Sequence, residues 1–225
     1  MKHLLIISIL SISIYSIGQR EQIRSMAGFA FSKVDESSLR FGPHAGLNYV
    51  HFNRDITYFT VGLEYVGKGE KYHYFNHTGQ EGLYTSQLII AQNFLSVPMT
   101  CGLHNNSPIF YSVEAGLLLR FLLSASEKRI WNDEFDQFAE FTTKNITSES
   151  GRLHFGGLIQ LNVGYDITER HTIQLCSRFA FGILRTNDPN PGPNESKYPV
   201  IRHLDMSGVF SLSYAHTLNG SELKR

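Results

Sequence analysis

The sequence predicts an all-β protein, an eight-stranded antiparallel transmembrane β-barrel with short periplasmic turns and long extracellular loops. Three observations predict this fold: a leader-like N-terminus, a period-two alternation of apolar and polar residues, and connections that alternate between short and long. The composition agrees, because only 18% of the 225 residues are charged, whereas Phe, Tyr and Gly number 16, 11 and 19. The formal net charge of +0 gives no overall attraction to polyanions, so we expect no nucleic-acid partner.

The N-terminus has the features of a cleaved signal peptide. Lys2 is followed by the apolar stretch Leu4–Ile17, and the small residues Ser16 and Gly18 precede Gln19. An apolar run of about 14 residues is short for a membrane-spanning helix but suits a signal peptide. We therefore expect residues 1–18 to be removed before Gln19 and residues 19–225 to form the barrel domain in the outer membrane. An N-terminal membrane anchor is the alternative.

The alternation predicts eight strands, and the lengths of the connections between them predict which end of the barrel each connection occupies. Three connections are tight, Asn105–Pro108 among them, and they hold residues that favour turns. Three others are long, at Gly67–Asn93, Ser124–Ser150 and Arg185–His203, whereas Asp35–Ser38 is short. Short turns on one rim and long loops on the other are typical of outer-membrane barrels. The predicted strands span approximately 22–34, 39–50, 56–66, 94–104, 109–123, 151–167, 171–184 and 204–217.

The alternation also defines two faces of each strand. In the sixth predicted strand, Phe155, Ile159 and Leu161 alternate with Gln160 and Asn162. Periodicity alone is compatible with a soluble barrel that has the apolar face inside. The polar face, however, is rich in Gly, Ser and Asn, which suit a narrow lumen better than a solvated surface. We therefore expect the apolar face to meet lipid.

The few charges of the polar face nearly balance, which predicts a network of arginine and carboxylate pairs that plugs the lumen. A charge confined in a lumen must be paired or hydrogen-bonded, because leaving it alone costs several kcal/mol. The alternative is that some of these side chains lie at the rims in water. With Arg24 on the same face, the predicted luminal network comprises Arg40, Glu64, Glu114, Arg120, Arg152, Asp166, Arg178 and Asp205.

Few residue patterns point to catalysis or metal binding. Cys101 occupies one of the alternate strand positions predicted to face lipid, whereas Cys176 occupies one predicted to face the lumen. A disulfide between them is therefore not expected. His73 and His77 lie four positions apart in a predicted loop, but this is a weak metal signal without further ligands. We expect no enzymatic activity and no cofactor; His216 on the lipid face is a weak hint of a lipid-modifying site.

The predicted loop Ser124–Ser150 contains aromatic residues at helical spacing among acidic ones. This pattern predicts one apolar stripe on a short amphipathic helix, which either packs on neighbouring loops or contacts a partner outside the cell. The stripe consists of Trp131, Phe135, Phe138 and Phe141.

The strand motifs resemble the PorT-like family of outer-membrane β-barrel proteins of Bacteroidetes. The matching segments follow the order of that family: Gly42–Asn48 (GPHAGLN), Gly62–Gly69 (GLEYVGKG), Phe94–Met99 (FLSVPM), Val113–Ala125 (VEAGLLLRFLLSA) and Gly156–Tyr165 (GGLIQLNVGY). The resemblance implies an eight-stranded outer-membrane barrel. It also implies a possible partner, because a founding member takes part in the protein secretion system linked to gliding motility. It transfers no functional residue.

The sequence thus favours a non-enzymatic outer-membrane barrel that is structural or binds a partner or ligand through its outer loops. A component of a secretion machinery, contacting other envelope proteins, is the alternative. A narrow pore and a lipid-modifying enzyme are less favoured, because the lumen is predicted to be filled and no nucleophile and base are evident at one depth.

Overall fold

The computed structural model describes residues 20–33, 40–53, 56–77, 83–105, 107–133, 140–147, 153–185 and 206–219, and strands account for almost all of them. No helix within these ranges is long and apolar enough to cross a membrane. The predicted signal peptide lies outside the described residues. The strands are β1 (Glu21–Lys33), β2 (Arg40–Phe52), β3 (Thr57–His77), β4 (Leu83–His104), β5 (Ile109–Asp133), β6 (Glu140–Asn145), β7 (Leu153–Asp166), β8 (His171–Arg185) and β9 (Met206–Asn219).

Eight of these strands close into an antiparallel barrel. Strands β1 to β5 pair in chain order, β5 then pairs with β7, and β9 pairs with β1 to complete the ring. Strand β6 lies outside the ring and pairs only with the far end of β5. Closure leaves the barrel without a free edge, so every wall strand has hydrogen-bonded neighbours on both sides. The predicted eight-stranded antiparallel barrel is confirmed.

One end of the barrel, which we call the turn rim, carries residues 53, 56, 105, 107–108 and 167–170 together with Arg20 and Asn219. Side chains support two of its turns. The Asn105 side chain accepts a hydrogen bond from the Tyr111 amide at 2.6 Å, and the Thr168 hydroxyl accepts one from the His171 amide at 3.2 Å. Asn and Thr favour turns because they replace missing backbone hydrogen bonds in this way. The opposite end is the loop rim.

The strands continue past the loop rim, which corrects two predicted loops. Residues 67–77 of β3 pair with residues 83–93 of β4, although Gly67–Asn93 was predicted to be a loop. Residues 124–133 of β5 pair with the same part of β4, and β6 pairs with β5 where Ser124–Ser150 was predicted to be a loop. We call this four-stranded sheet the wing. At about 3.3 Å per residue, its longest strands extend roughly 35 Å beyond the barrel.

The barrel wall separates apolar and polar side chains. Outward residues such as Leu117 and Leu175 are 62% and 65% exposed, whereas the inward Arg24 and Glu64 are 2% and 1% exposed. The predicted polarity is therefore confirmed, and the alternative with an apolar interior is wrong. The same parity places Cys101 on the outer surface and buries Cys176 inside, both as free thiols.

Two inward glycines make room for rings at the turn rim. A Cβ atom on Gly102 would meet the Tyr58 ring, and one on Gly164 would meet the Phe110 ring. A narrow eight-stranded lumen can hold large aromatic side chains only where the facing wall positions are this small. The glycine-rich polar face noted in the sequence therefore reflects packing inside the barrel.

Candidate functional site

The inside of the barrel holds most of the predicted luminal charges. Glu64, Glu114, Arg120 and Arg178 are buried there, together with Arg24. The other predicted members lie elsewhere. Arg40 is half-buried and its Nη1 donates to the Ile90 carbonyl at 3.3 Å, and the Asp166 carboxylate accepts from the Thr172 hydroxyl at 2.7 Å beside the turn rim. Arg152 and Asp205 lie outside the described residues.

Glu114, on β5, is the centre of the first charge cluster. Arg24 reaches its Oε1 from β1 with Nη1 at 2.9 Å. Uncharged donors complete the shell on both carboxylate oxygens. They are the Tyr58 hydroxyl at 3.0 Å, the Thr100 hydroxyl at 2.6 Å, the Asn162 amide at 2.9 Å and the Gln160 amide at 3.3 Å. A buried carboxylate supplied with this many donors retains its charge without water.

Glu64, on β3, is the centre of the second cluster. Arg178 binds it through both terminal guanidinium nitrogens, and its Nη2 lies 2.9 Å from Oε1. His44 Nε2 lies 3.1 Å from Oε2, and the Asn48 amide donates to Oε1 at 3.2 Å. The forked contact fixes the orientation of both side chains, which a single point contact would leave free.

Gln160 joins the two clusters. Its Oε1 accepts from Arg178 Nε at 2.7 Å, and its Nε2 donates to Asn162 at 2.9 Å and to Glu114 at 3.3 Å. The resulting chain of contacts, which we call the luminal network, ties together β1, β2, β3, β4, β5, β7 and β8. The predicted network left out its uncharged members, although Gln160 and Asn162 were already assigned to the polar face and the others have the same alternation in their strands: His44, Asn48, Tyr58, Thr100, Gln160 and Asn162.

Apolar side chains fill the lumen between the network and the loop rim. Leu158 packs with Leu118 and Ala180, which accounts for the one large apolar residue on the predicted polar face of its strand. Nearer the wing, Phe94 packs with Leu122, and the Lys68 ammonium lies 4.9 Å from the Phe94 ring centroid. Arg120 Nη2 donates to the Ser207 hydroxyl at 2.7 Å, so it binds a hydroxyl on β9.

Aromatic rings close the lumen at the turn rim. Phe52 lies 5.3 Å from Tyr58 and 5.1 Å from His104 between ring centroids, and His104 lies 6.3 Å from Phe110. The Arg20 guanidinium covers the Phe52 ring at 5.4 Å. The described side chains of the lumen therefore form three layers: aromatic, charged and apolar, in order from the turn rim.

Polar belts border the apolar outer surface at both ends. Towards the loop rim, the Tyr65 hydroxyl donates to Asn93 at 2.7 Å, and the Asn93 amide donates to Ser124 at 2.9 Å. At the turn rim, Tyr214 is hydrogen-bonded to His171, whose ring centroid is 5.0 Å from that of His216. Exposed tyrosines follow this end of the barrel: Tyr49, Tyr111, Tyr165 and Tyr214.

The wing replaces the predicted amphipathic helix, which is wrong where the structure describes it. Trp131 is paired with Glu140, and Phe141 with the neighbouring Ile130, in an antiparallel ladder. Extended backbone in this ladder replaces the helical spacing on which the predicted stripe depended. The other predicted members, Phe135 and Phe138, lie outside the described residues.

The wing also bears on the weak metal hypothesis. His73 and His77 both lie in β3, where extended backbone separates residues four positions apart by about 13 Å. Within the described ranges, no group of three or more His, Cys, Asp or Glu residues could hold a metal ion.

Comparison with known proteins relates the chain to small outer-membrane barrels of low sequence identity. It is similar to the crystal structure of Neisserial surface protein A, with 14% identity and a TM-score of 0.45, covering 88% of this chain and 97% of that one. A major outer membrane protein from Thermus thermophilus shows 10% identity and a TM-score of 0.46, with 90% and 100% covered. OprG from Pseudomonas aeruginosa shows 10% identity and a TM-score of 0.40, with 90% and 99% covered.

No model of a known protein family matches the chain, and no curated protein sequence matches it. The PorT-like assignment made from the strand motifs therefore stays a prediction.

Proposed function

We propose that the protein is a non-enzymatic outer-membrane β-barrel that holds the wing outside the cell as a contact surface for a ligand or partner. The observation that carries the proposal is the separation of the barrel wall into an exposed apolar exterior and a buried, hydrogen-bonded charged interior. In water, this arrangement would expose hydrocarbon and bury charge. In a bilayer, both faces are in the environment that they favour.

The dimensions support this proposal. Between the turn rim and the Tyr65 belt, β3 runs from Thr57 to about Gly67. Eleven residues at about 3.3 Å each, tilted by about 40°, rise roughly 28 Å. That height is close to the apolar band of about 25 Å on outer-membrane barrels. Tyrosines border the band as they commonly do at a membrane interface.

The filled lumen favours an anchor over a pore. The aromatic, charged and apolar layers occupy successive depths of the barrel, and the buried charges already have protein partners. A solute would have to displace these contacts to pass. The wing is consequently the part of the molecule best placed to meet a partner outside the cell.

The wing is the proposed contact surface. It continues β3, β4 and β5 beyond the barrel, and β6 pairs with β5 at its edge. The described side chains of Thr142, Thr143 and Lys144 in β6 are exposed.

The experiment that tests this function is membrane fractionation of the native protein followed by a gel of heated and unheated samples. We expect the protein in the outer-membrane fraction, beginning at Gln19, with a folded form that migrates differently until it is boiled. Recovery in the soluble fraction, without a heat-dependent shift, would contradict the proposal.

A second candidate function rests on the PorT-like motifs, which favour a component of the secretion machinery linked to gliding. Affinity purification from outer membranes distinguishes the two. Stable recovery of other envelope proteins with the full barrel supports the machinery component, and recovery of the barrel alone supports the wing as an independent contact surface.

A further inference from the structure

Two histidine side chains lie next to each other on the outer surface of the barrel at the turn rim. His171, the first residue of β8, is paired with His216 on β9. Residues directly opposite each other in an antiparallel ladder have adjacent side chains on the same side of the sheet. The two ring centroids are accordingly 5.0 Å apart. Both side chains are only half-buried, so a small ion from the surroundings can reach the rings.

Tyr214 fixes the orientation of one of these rings. Its hydroxyl is hydrogen-bonded to Nδ1 of His171, and the two rings are stacked with their centroids 5.7 Å apart. When Nδ1 of a neutral imidazole donates its proton to such a partner, the lone pair is on Nε2. Within the part of the chain that the structure describes, neither Nε2 of His171 nor either nitrogen of His216 is hydrogen-bonded. Each ring therefore has a nitrogen with which it can bind a ligand.

We propose that His171 and His216 together bind one divalent transition-metal ion of the nickel, copper or zinc type, and that Tyr214 positions His171 for this role. Imidazole nitrogen is a preferred ligand of these metals. With metal–nitrogen bonds of about 2.1 Å, two imidazoles bound at a tetrahedral angle have ring centroids about 5 Å apart. The measured separation of this ring pair agrees with that value.

The surroundings of the pair determine the kind of site. Among the described residues, no third His, Cys, Asp or Glu completes a metal-binding group, so water supplies the remaining ligands. The adjoining turn residues Glu169 and Arg170 are exposed and carry opposite charges, so together they give little net attraction or repulsion of a cation. The affinity therefore depends on the two imidazoles, and the site is an open one that exchanges its metal with the surroundings.

The same rim provides a matched control. His51, on β2, is also an outward histidine beside a tyrosine, because its ring is stacked on that of Tyr49 with centroids 6.4 Å apart. The residues directly opposite it are Glu21 and Phe59, so no second imidazole is paired with it. Its Nδ1 lies 3.7 Å from the Glu21 carboxylate. Replacing His51 thus removes an imidazole from the rim without removing a ligand of the proposed site.

The test is a calorimetric titration of the folded barrel in detergent micelles with copper(II), which imidazole sites bind most tightly among these metals. Cys101 and Cys176 are replaced by Ser in every sample, so that thiols do not compete. We expect His216→Asn to weaken the tightest site by at least about tenfold. Tyr214→Phe should also weaken it by about tenfold, which is the usual effect of removing the hydrogen-bond partner of a ligating histidine.

His51→Asn should leave the copper affinity within about twofold of the parent. Electron spin-echo modulation of the bound copper in the parent should show two coordinated imidazoles. Equal losses in His51→Asn and His216→Asn, an unchanged affinity in His216→Asn, or coordination by a single imidazole in the parent would overturn the inference. A gel of heated and unheated samples verifies that each variant is folded, and His171→Asn, which removes the other ligand, replaces His216→Asn if that variant does not fold.

Discussion

Glu114 illustrates how single residues determine the character of the lumen. Its carboxylate accepts from one arginine and from hydroxyl and amide groups on β3, β4 and β7, with donor distances between 2.6 and 3.3 Å. Removing one partner of a buried ion pair leaves the other charge uncompensated, which is more costly than never having buried the pair.

We therefore expect Glu114→Gln to destabilise the folded barrel by about 3–5 kcal/mol, because Arg24 would lose its buried counter-charge. Urea unfolding in detergent micelles measures the loss. Glu169→Gln, at an exposed position of the turn rim, is the matched control and should change stability by less than about 0.5 kcal/mol. In Arg24→Gln/Glu114→Gln, the loss should be smaller than the sum of the single losses; strict additivity would show that the two residues do not interact.

Gly102 permits the Tyr58 ring to lie inside the lumen. A Cβ atom there would meet the ring directly, so we expect Gly102→Ala to cost about 1–3 kcal/mol. The same unfolding assay measures it. Tyr58→Leu also removes a donor to Glu114, so the variant that combines it with Gly102→Ala should lose less stability than the sum of the two single losses, since the smaller side chain vacates the space. A Gly102→Ala variant as stable as the parent would refute this packing role.

Parity along the sequence was sufficient to predict which residues face inward, but it could not predict their partners. Glu64 and Arg178 are 114 positions apart, and their contact depends on the stagger of strands around the ring. The sequence contains no local signal for that stagger. For the same reason, the uncharged donors to Glu114 were missed, although each has the inward parity of its strand.

The wing is the element that sequence analysis predicted least well. Sequence analysis predicted that Gly67–Asn93 forms a loop. The ladder instead continues through Gly67 and Gly69, since β4 and β5 extend to the same height and supply backbone partners. Some of the aromatic residues that were predicted to form a helical stripe lie in this ladder. There, pairing between neighbouring strands outweighs the helix-like spacing of these residues along the chain.

Hydrogen exchange should distinguish the wing from the wall. Backbone amides of β3 between residues 58 and 66 lie in the closed ring, whereas those between residues 70 and 76 belong to a sheet without a ring. We expect protection to fall markedly from the first segment to the second in folded protein, because open sheets allow local opening more easily. Uniform protection along β3 would mean that the wing is as firmly held as the barrel.

At the scale of the whole molecule, the sequence was sufficient to predict closure into eight strands. Apolar and polar residues alternate over several long runs, and tight connections recur at one rim. This repetition compensates for the weak sequence signal of each single strand. The layered filling of the lumen was predicted only for its charged layer. The aromatic and apolar layers depend on which depths Phe52, Phe94 and Leu158 reach in the ring.

A filled lumen predicts an absence of conductance. We expect no resolved current steps when the folded protein is inserted into planar bilayers, because solutes cannot pass the three layers without breaking the luminal network. A porin measured in the same bilayers controls for sensitivity. Stable, reproducible steps from the purified barrel would show that the layers leave a continuous path.

The central claim is that the apolar exterior of the barrel is in contact with lipid. Spin labels introduced singly at Leu117, Leu175 and Thr143, with Cys101 and Cys176 replaced by Ser, test it most directly after reconstitution in vesicles. The labels at Leu117 and Leu175 should be relaxed by oxygen and shielded from a water-soluble nickel chelate, whereas the label at Thr143 in the wing should respond to nickel. Nickel access at Leu117 and Leu175 equal to that at Thr143 would contradict the account.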